Sequence, residues 1–229
     1  MIESNYLRKR EIEVETRNQS LDEKWFDVRH QMVTASNFGK ICKVKSLASY
    51  HNIILHILYT RVSNCNMLWG LQNEKKAIQK LEEAIKIKVQ KCGFFIDDEF
   101  HYLGATPDGL VGEDGICEVK CPSSIKNLTI SDAVEKKKLK YLQKSGDTFV
   151  LKKNDDYFYQ VQGQLHITKR SHCFFGVWTS CDFVCIKIQK DDSFWEDKIK
   201  NKLLNFYNNH FLLELCDPRI PRKMRVWNT

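Results

Sequence analysis

The feature that most restricts the fold is a pair of short segments joined by a turn signal. Residues 101–108 are mixed apolar and end in Pro-Asp at positions 107 and 108, while residues 115–121 favour β-structure and are followed by Pro122. Between them, residues 112–115 have the sequence Gly-Glu-Asp-Gly, which is typical of a turn. We therefore predict that the two segments are adjacent strands of a hairpin.

The predicted hairpin would bring two carboxylates and an ammonium group together. Strand pairing places the carboxylate of Asp108 near that of Glu118, and Lys120 shares the strand face of Glu118. Paired carboxylates are hard ligands suited to Mg²⁺ or Mn²⁺. Such an ion can activate water beside a phosphate, and a lysine can stabilise the developing charge. The alternative is an ordinary hairpin with a surface salt bridge, and the pattern alone leaves both open.

Two predicted helices carry polar side chains on or beside an apolar stripe. In residues 69–88, Glu74 shares the face of the stripe. A carboxylate there is costly unless it is paired or binds a metal, although a position in the first helical turn would also accommodate an acid. In residues 157–168, Gln160 and Gln164 lie beside the stripe. Gln160 could contact water at a metal site or be a surface amide.

The remaining pattern predicts an α/β chain, with a small mixed central sheet and helices on both faces. Strands are expected at 90–96, 101–108, 115–121, 172–179 and 183–189, and helices at 47–62, 69–88, 157–168 and from an N-cap at Asp191 to about 217. A chain of 229 residues suits one large domain. We assign residues 1–24 to a charged extension, 25–217 to the domain and 218–229 to a basic tail.

Charge is unevenly distributed along the chain, whose net charge is +7. Residues 122–156 form a Lys-rich crossover that we predict to be mobile or to lie on DNA, and residues 135–153 within it contain seven Lys and two acidic residues. A charge run is usually a solvated face, but phosphate backbones also bind such runs without reading sequence. No motif for reading bases is present, so little sequence specificity is expected.

The sequence also indicates where the protein is located and whether its cysteines are reduced. No apolar run reaches the length of a membrane span, and the N-terminus has no signal-peptide character. We therefore expect a soluble intracellular protein with no membrane partner. The nine Cys residues include no Cys-x2-Cys pair, so we expect reduced thiols rather than a metal cluster, with Cys173 and Cys185 buried in β-structure.

The motifs described above belong to five blocks that follow one another along the chain. The blocks are Trp25-x3-Arg29 with Thr34-Ala35-Ser36; Trp69-Gly70-x3-Glu74; Thr106-Pro107-Asp108-Gly109-Leu110; Glu118-Val119-Lys120-Cys121-Pro122; and Tyr157-x2-Gln160-Val161-Gln162. Through these blocks, from about residue 25 to 211, the chain resembles the YqaJ-type, lambda-exonuclease-like viral recombinase nucleases of the PD-(D/E)xK superfamily. The resemblance implies a restriction-endonuclease-like α/β core.

The resemblance also implies roles for individual residues. Asp108, Glu118 and the backbone carbonyl of Val119 would bind Mg²⁺, with Mn²⁺ as a substitute. Lys120 would be the catalytic lysine, and Glu74 and Gln160 would complete the catalytic site.

A second set of positions corresponds to the family's pocket for a terminal 5′ phosphate. Arg29 and Ser36 would bind this phosphate. Thr106 stands where the family often has a serine facing a phosphate, so the hydroxyl is kept.

The activity implied is 5′-to-3′ exonuclease action on one strand of linear duplex DNA, with 5′-phosphorylated products. DNA ends, a single-strand annealing protein and a homotrimer are the implied partners, and a nuclear location is allowed if the source is eukaryotic or viral. Two alternatives stay open, namely a PD-(D/E)xK endonuclease of a different mode and a DNA-end-binding module that does not cleave.

Overall fold

The structure is a computed structural model that describes residues 2–60 and 65–224, apart from the side chain of Leu47. The helices are α1 (Ile2–Leu7), α2 (Lys9–Glu15), α3 (Glu23–His30), α4 (Ala35–Cys42), α5 (Leu47–Tyr59), α6 (Cys65–Ile85), α7 (Ile130–Glu135), α8 (Asp156–Thr168), α9 (Asp192–Phe194), α10 (Asn201–Phe206) and α11 (Leu212–Cys216), with π-helical segments Trp195–Lys200 and Tyr207–Phe211. Short 3-10 turns lie at Gln19–Leu21 and Ser123–Ile125. The strands are β1 (Val33–Thr34), β2 (Val89–Gln90), β3 (Phe95–Ile96), β4 (Leu103–Ala105), β5 (Gly109–Val111), β6 (Gly115–Lys120), β7 (Leu142–Ser145), β8 (Thr148–Leu151), β9 (His172–Trp178) and β10 (Phe183–Gln189).

The strands form small mixed sheets flanked by helices, as the sequence predicts. The larger sheet has the strand order β10-β9-β6-β5-β2. At its centre β6 runs antiparallel to β5 and parallel to β9, with Glu118 opposite Phe175. The predictions for β9 and β10 are confirmed almost to the residue. Cys173 lies buried within β9 as predicted, whereas Cys185 of β10 is only partly buried because it lies on the outer strand of the sheet. A second sheet has the order β1-β4-β3.

The predicted hairpin exists, but the prediction of its first strand is wrong. Residues 101–108 do not form one strand, because β4 pairs in parallel with β1 while β5 begins only after Asp108 and pairs with β6. Pro107 lies between β4 and β5, and proline has no N–H to donate to a strand ladder. The chain therefore leaves one sheet and enters the other at this point. Residues 90–96 are likewise divided between the two sheets, as β2 and β3.

Helices cover both faces of the larger sheet. On one face, α6 packs Ala77 and Leu81 against Cys117 and Val119 of β6. On the other face, α8 packs Val161 and Leu165 among the side chains that include Ile116. Since side chains alternate between the faces of a strand, Glu118 and Lys120 lie on the side of α8.

The C-terminal helical region and α4 complete the support of α8. The predicted N-cap of the C-terminal region is confirmed, because the side chain of Asp191 accepts a hydrogen bond from the backbone N–H of Phe194. The helical face of this region that carries Trp195, Ile199, Leu203, Phe206 and His210 is buried. Helices α4 and α8 approach closely at Gly163, where a Cβ atom would lie 2.4 Å from Phe38 Cδ2.

The Lys-rich crossover, which the sequence predicts to be mobile or to lie on DNA, is built of regular structure. It contains α7 and the antiparallel β7–β8 hairpin. Apolar residues of the crossover, including Ile130, Leu142 and Leu151, are buried together with Val161 and Phe175. These contacts explain why a segment rich in lysine keeps a defined conformation, since apolar residues are interspersed among its lysines.

The structure describes nearly all of the N-terminal extension but only part of the C-terminal tail. At the N-terminus, Ile12 of α2 packs with Val28, Met32 and Phe94, so the charged extension contributes to a core cluster. At the C-terminus, residues 225–229 of the predicted basic tail lie outside the described residues, as do positions 61 and 62 of the predicted helix 47–62. No described helix combines the length and apolar character that a membrane span requires.

Candidate active site

The site is centred on a buried carboxylate, Glu118, which is 3% exposed. Its Oε1 atom accepts hydrogen bonds from Lys120 Nζ at 2.5 Å and from Gln160 Nε2 at 2.8 Å. Its Oε2 atom accepts one from Gln164 Nε2 at 2.7 Å. Hydrogen bonds to a charged group are stronger than neutral ones, so three donors fix the orientation of a carboxylate that would otherwise be costly to bury.

Asp108 reaches the same place from the loop between β4 and β5. Its Oδ2 atom accepts a hydrogen bond from the backbone N–H of Val119 at 2.6 Å, and its own N–H donates to the carbonyl of Cys117 at 3.1 Å. Burial and the charge of Glu118 raise the pKa of Asp108 well above its usual value. The proximity of the two carboxylates thus comes from this loop contact and not from pairing within a strand of residues 101–108.

Glu74 approaches the cluster from α6. The helix begins at Cys65, before the predicted start at residue 69, so Glu74 lies well inside the helix. A first-turn position therefore does not explain the acid. Burial and the charge of Glu118 raise the pKa of Glu74, and Lys120 opposes this shift.

Lys120 is held as a cation by its neighbours. Burial alone would lower the pKa of Lys120, but the carboxylates of Glu118 and Asp108 raise it above the usual value of a lysine. The ammonium group also lies 4.8 Å from the centre of the Tyr157 ring, a cation–π contact. At neutral pH this side chain can donate hydrogen bonds but cannot accept a proton.

The donor set suits a divalent cation. Asp108, Glu118 and Glu74 carry more negative charge than Lys120 balances, and the raised pKa values of Asp108 and Glu74 express that imbalance. A residue's N–H and C=O point to the same edge of a strand. Because Val119 N–H points to Asp108, the Val119 carbonyl faces that side as well.

Within the described ranges, no group of three or more His, Cys, Asp and Glu side chains could hold a metal ion by itself. An ion here would therefore use the carboxylates of Asp108 and Glu118, the carbonyl of Val119, and oxygens from water or substrate. This mixed set is typical of Mg²⁺ at phosphate-processing sites.

The guanidinium group of Arg29 lies near this cluster, close enough for the charge of Glu118 to affect its pKa. The Cζ atom of Arg29 is 4.0 Å from the centre of the Trp25 ring, and Trp25 Nε1 donates a hydrogen bond to Thr106 Oγ1 at 3.1 Å. Burial lowers the pKa of Arg29 to about 10, and the charge of Glu118 partly opposes the shift. In residues 2–60 and 65–224, no carboxylate forms an ion pair with Arg29. A partly buried cation of this kind is suited to binding an anion.

Ser36 lies at the same end of the sheet as Thr106 but forms no hydrogen bond with Trp25 or Thr106 among the described residues. Strands β1 and β4 are parallel, with Thr34 opposite Gly104, and Ser36 and Thr106 each follow two residues later. Ser36 is exposed, and its hydroxyl is 3.0 Å from that of Thr34. The structure thus joins Arg29 and Thr106 through Trp25 and leaves the hydroxyl of Ser36 with Thr34.

Sequence reasoning did not assign a role to Gln164, which the structure places at the centre of the site. Besides its bond to Glu118, Gln164 Nε2 donates to the carbonyl of Thr106 at 3.3 Å, so it links the carboxylate cluster to the Arg29 side. Its Oε1 atom is buried without a hydrogen-bond partner among the described residues. The sequence could have indicated a shared role for Gln164, because Gln160 and Gln164 are four residues apart and therefore neighbours on one helix face.

Comparison with solved structures places this fold among exonucleases. An alkaline exonuclease, LHK-Exo from Laribacter hongkongensis, is 25% identical, with a TM-score of 0.66 over 88% of this chain and 97% of the other. A phage-related exonuclease from Haemophilus somnus 129PT is 16% identical, with a TM-score of 0.58 over 85% and 99%. A SOX–DNA complex is 12% identical, with a TM-score of 0.54 over 96% and 73%.

Sequence comparison identifies the family. No curated protein is similar enough to this chain to count as a match. The family model of the YqaJ-like viral recombinase domain matches residues 24–171, which is more than half of the chain and includes each of the proposed site residues. The chain therefore belongs to the YqaJ-like viral recombinase domain family.

Proposed function

We propose that this protein is a metal-dependent deoxyribonuclease that removes nucleotides from the 5′ end of one strand of linear duplex DNA. The family and the alkaline exonuclease fold support a nuclease. The observation that carries the proposal is Glu118, a buried carboxylate beside Asp108 that receives hydrogen bonds from Lys120, Gln160 and Gln164. A structural salt bridge would not need a second, partly buried carboxylate next to it.

Each side chain has a distinct task in the proposed reaction. When bound, Mg²⁺ supplies charge neutralisation at the scissile phosphate and activation of water. Lys120, which remains protonated, donates to a phosphate oxygen as negative charge develops there. Glu74 completes the acidic site beside Glu118 and Lys120 and would position water or the metal. Gln160 and Gln164 keep the carboxylate of Glu118 in position.

The 5′-to-3′ direction of digestion would be set by Arg29 and the residues around it. The Arg29 guanidinium is stacked on Trp25 and has no carboxylate partner in the described parts of the chain. It would bind the terminal 5′ phosphate, with Thr106 and Ser36 as hydroxyl donors to the same group. Departure of the 3′ oxygen would then release a nucleotide that carries a 5′ phosphate.

Two assemblies belong to the same proposal. A homotrimer around DNA and a complex with a single-strand annealing protein are supported by the family resemblance. Light scattering tests the first, because a trimer would have three times the 27.0 kDa mass of the chain. Co-purification with a co-expressed annealing protein tests the second.

Linear duplex DNA labelled at either the 5′ or the 3′ end tests the activity and its polarity. We expect Mg²⁺-dependent release of 5′-terminal mononucleotides, no release in EDTA and no cutting of a covalently closed circle. Cutting of the circle would establish the endonuclease alternative, and tight binding to ends without cleavage would establish the end-binding module.

The experiment also compares one variant of the site with a matched control variant. Asp108→Asn should abolish cleavage. Asp114→Asn is the matched control, because this exposed residue lies in the turn of the same hairpin and outside the cluster. Full activity of Asp108→Asn would rule out the proposed site.

A further inference from the structure

Five exposed lysines follow one another on the crossover between β6 and α8. They are Lys136, Lys137, Lys138, Lys140 and Lys144, and we call them the lysine ridge. Within residues 2–60 and 65–224, none of the five forms an ion pair, whereas the nearby Lys153 is paired with Asp191. Three exposed acidic residues lie near the ridge in the sequence, namely Asp132, Glu135 and Asp147. The ridge thus carries a local excess of positive charge that the described part of the chain does not neutralise.

The ridge is fixed to the core of the protein. Leu139 and Leu142, which are interspersed among its lysines, are buried in the same cluster as Val161 and Leu165 of α8. The β7–β8 hairpin, in which Lys144 is opposite Phe149, supports its end. Because the apolar residues point inward, the lysines between them are held outward, towards solvent.

Two aromatic contacts connect the ridge to the candidate active site. Tyr141, next to Lys140, has its ring 4.9 Å from that of Tyr157 in an edge-on arrangement. The Tyr157 ring is in turn 4.8 Å from Lys120 Nζ. Lys140 of the ridge therefore adjoins a residue that is two ring contacts away from the proposed catalytic lysine.

The ridge and the Arg29 pocket are linked to different oxygens of the Glu118 carboxylate. Oε1 of Glu118 faces Lys120, from which the tyrosines lead to the ridge. Oε2 faces Gln164, whose second bond leads to Thr106 and so to Trp25 and Arg29. A strand with its terminal phosphate at Arg29 and its scissile phosphate at Glu118 would continue towards the ridge.

We propose that the lysine ridge binds the backbone phosphates of the uncleaved DNA on the 3′ side of the scissile bond. The inference rests on the proposed function for the position of the scissile phosphate. Exposed lysines bind backbone phosphates with an affinity that depends on salt and not on sequence. The ridge thus supplies the affinity that keeps the remaining tract on the protein after each terminal nucleotide is released.

The test compares two triple variants. The ridge variant carries Lys138→Gln, Lys140→Gln and Lys144→Gln. The control variant carries Lys86→Gln, Lys91→Gln and Lys198→Gln, three exposed lysines that form no ion pair with a described residue and lie outside the crossover. Both variants remove the same charge, so a difference between them reports position. Circular dichroism and the melting temperature verify that both are folded.

Binding is measured by fluorescence anisotropy in EDTA with 5′-phosphorylated duplexes over a range of KCl concentrations. One duplex is long enough to pass the ridge and the other ends before it. For the long duplex, we expect the ridge variant to bind about tenfold or more weakly than wild type. The slope of log affinity against log salt should fall by about 0.9 for each phosphate that the variant no longer neutralises. The advantage of the long duplex over the short one should shrink accordingly.

Equal weakening for both duplex lengths, or an equal effect of the control variant, would overturn the ridge as a site for the uncleaved tract. The EDTA binding data are independent of cleavage. If wild type fails to cut DNA in Mg²⁺ but the ridge variant shows the expected loss of affinity, the proposed function fails and the ridge stands as a surface that binds duplex DNA. If wild type cuts DNA and the ridge variant binds the long duplex normally, only the ridge fails.

Discussion

Replacement of Gln164 by methionine tests whether the site is organised around Glu118. Gln164 is 1% exposed and donates to Glu118 Oε2 at 2.7 Å and to the Thr106 carbonyl at 3.3 Å. Methionine has a similar volume and flexibility but cannot replace these donors. In the variant, one oxygen of a buried carboxylate would lose its donor.

The expected cost follows from these contacts. A hydrogen bond to a charged group contributes about 1.5–3 kcal/mol, and the longer bond to Thr106 contributes less. Removal of the Gln164 Oε1 atom, which is buried without a partner among the described residues, offsets part of the loss. We expect the free energy of unfolding in EDTA to fall by about 2 kcal/mol. For a chain of this size the melting temperature would then drop by about 4–8 °C.

The assay combines thermal unfolding with the Mg²⁺ dependence of cleavage. A cation bound to Glu118 would take up the lone pair that Gln164 leaves, so the loss of stability should be smaller in Mg²⁺ than in EDTA. Because Gln164 orients Glu118, the variant should also need more Mg²⁺ for half its maximal rate and should cut more slowly.

Gln162→Met is the matched control. Gln162 lies on the same helix and is also 1% exposed, but it donates to the carbonyl of Gln189 and accepts from the N–H of Asp191. Its replacement should lower stability without changing the Mg²⁺ requirement. The reasoning is refuted if Gln164→Met melts like wild type in EDTA, or if both variants shift the Mg²⁺ requirement equally.

Four further substitutions test other parts of the site. Asp108→Asn should reduce cleavage by orders of magnitude and raise the melting temperature in EDTA, because burial beside Glu118 disfavours the ionised form; a lower melting temperature would contradict this. Lys120→Met should lower the cleavage rate far more than DNA affinity, and equal losses would make Lys120 only a binding residue. Arg29→Gln should remove any preference for 5′-phosphorylated over 5′-hydroxyl ends, and an unchanged rate ratio would exclude it from the pocket. Gly163→Ala should destabilise the fold by about 1–3 kcal/mol, since the new Cβ atom would lie 2.4 Å from Phe38; unchanged unfolding would show that the helices separate freely.

Local sequence pattern is sufficient to predict some elements. Periodicity and capping chemistry predict the α8 helix, the β9 and β10 strands and the N-cap at Asp191, and the structure has them within one or two residues. These features depend on residues close together in the chain. Alternation along β6 likewise places Glu118 and Lys120 on one face.

Other features depend on partners distant in sequence. The separation of β4 from β5 could not be predicted, because a strand's pattern of side chains does not identify the strand that will pair with it. The regular structure of the crossover could not be predicted for a similar reason, since the burial of Leu139 and Leu142 depends on α8 and the sheet. Lysine content alone could not reveal that support.

The family blocks, the paired acids and the helix that carries two glutamines can all be read from the sequence alone. The folded chain was needed to show that Gln164 joins Gln160 at Glu118, because that contact requires α8 to pack across β6. The same is true of the meeting of Arg29, Trp25 and Thr106. Hydrogen bonds between residues tens of positions apart arise from how helices and sheets pack, and no local periodicity specifies that packing.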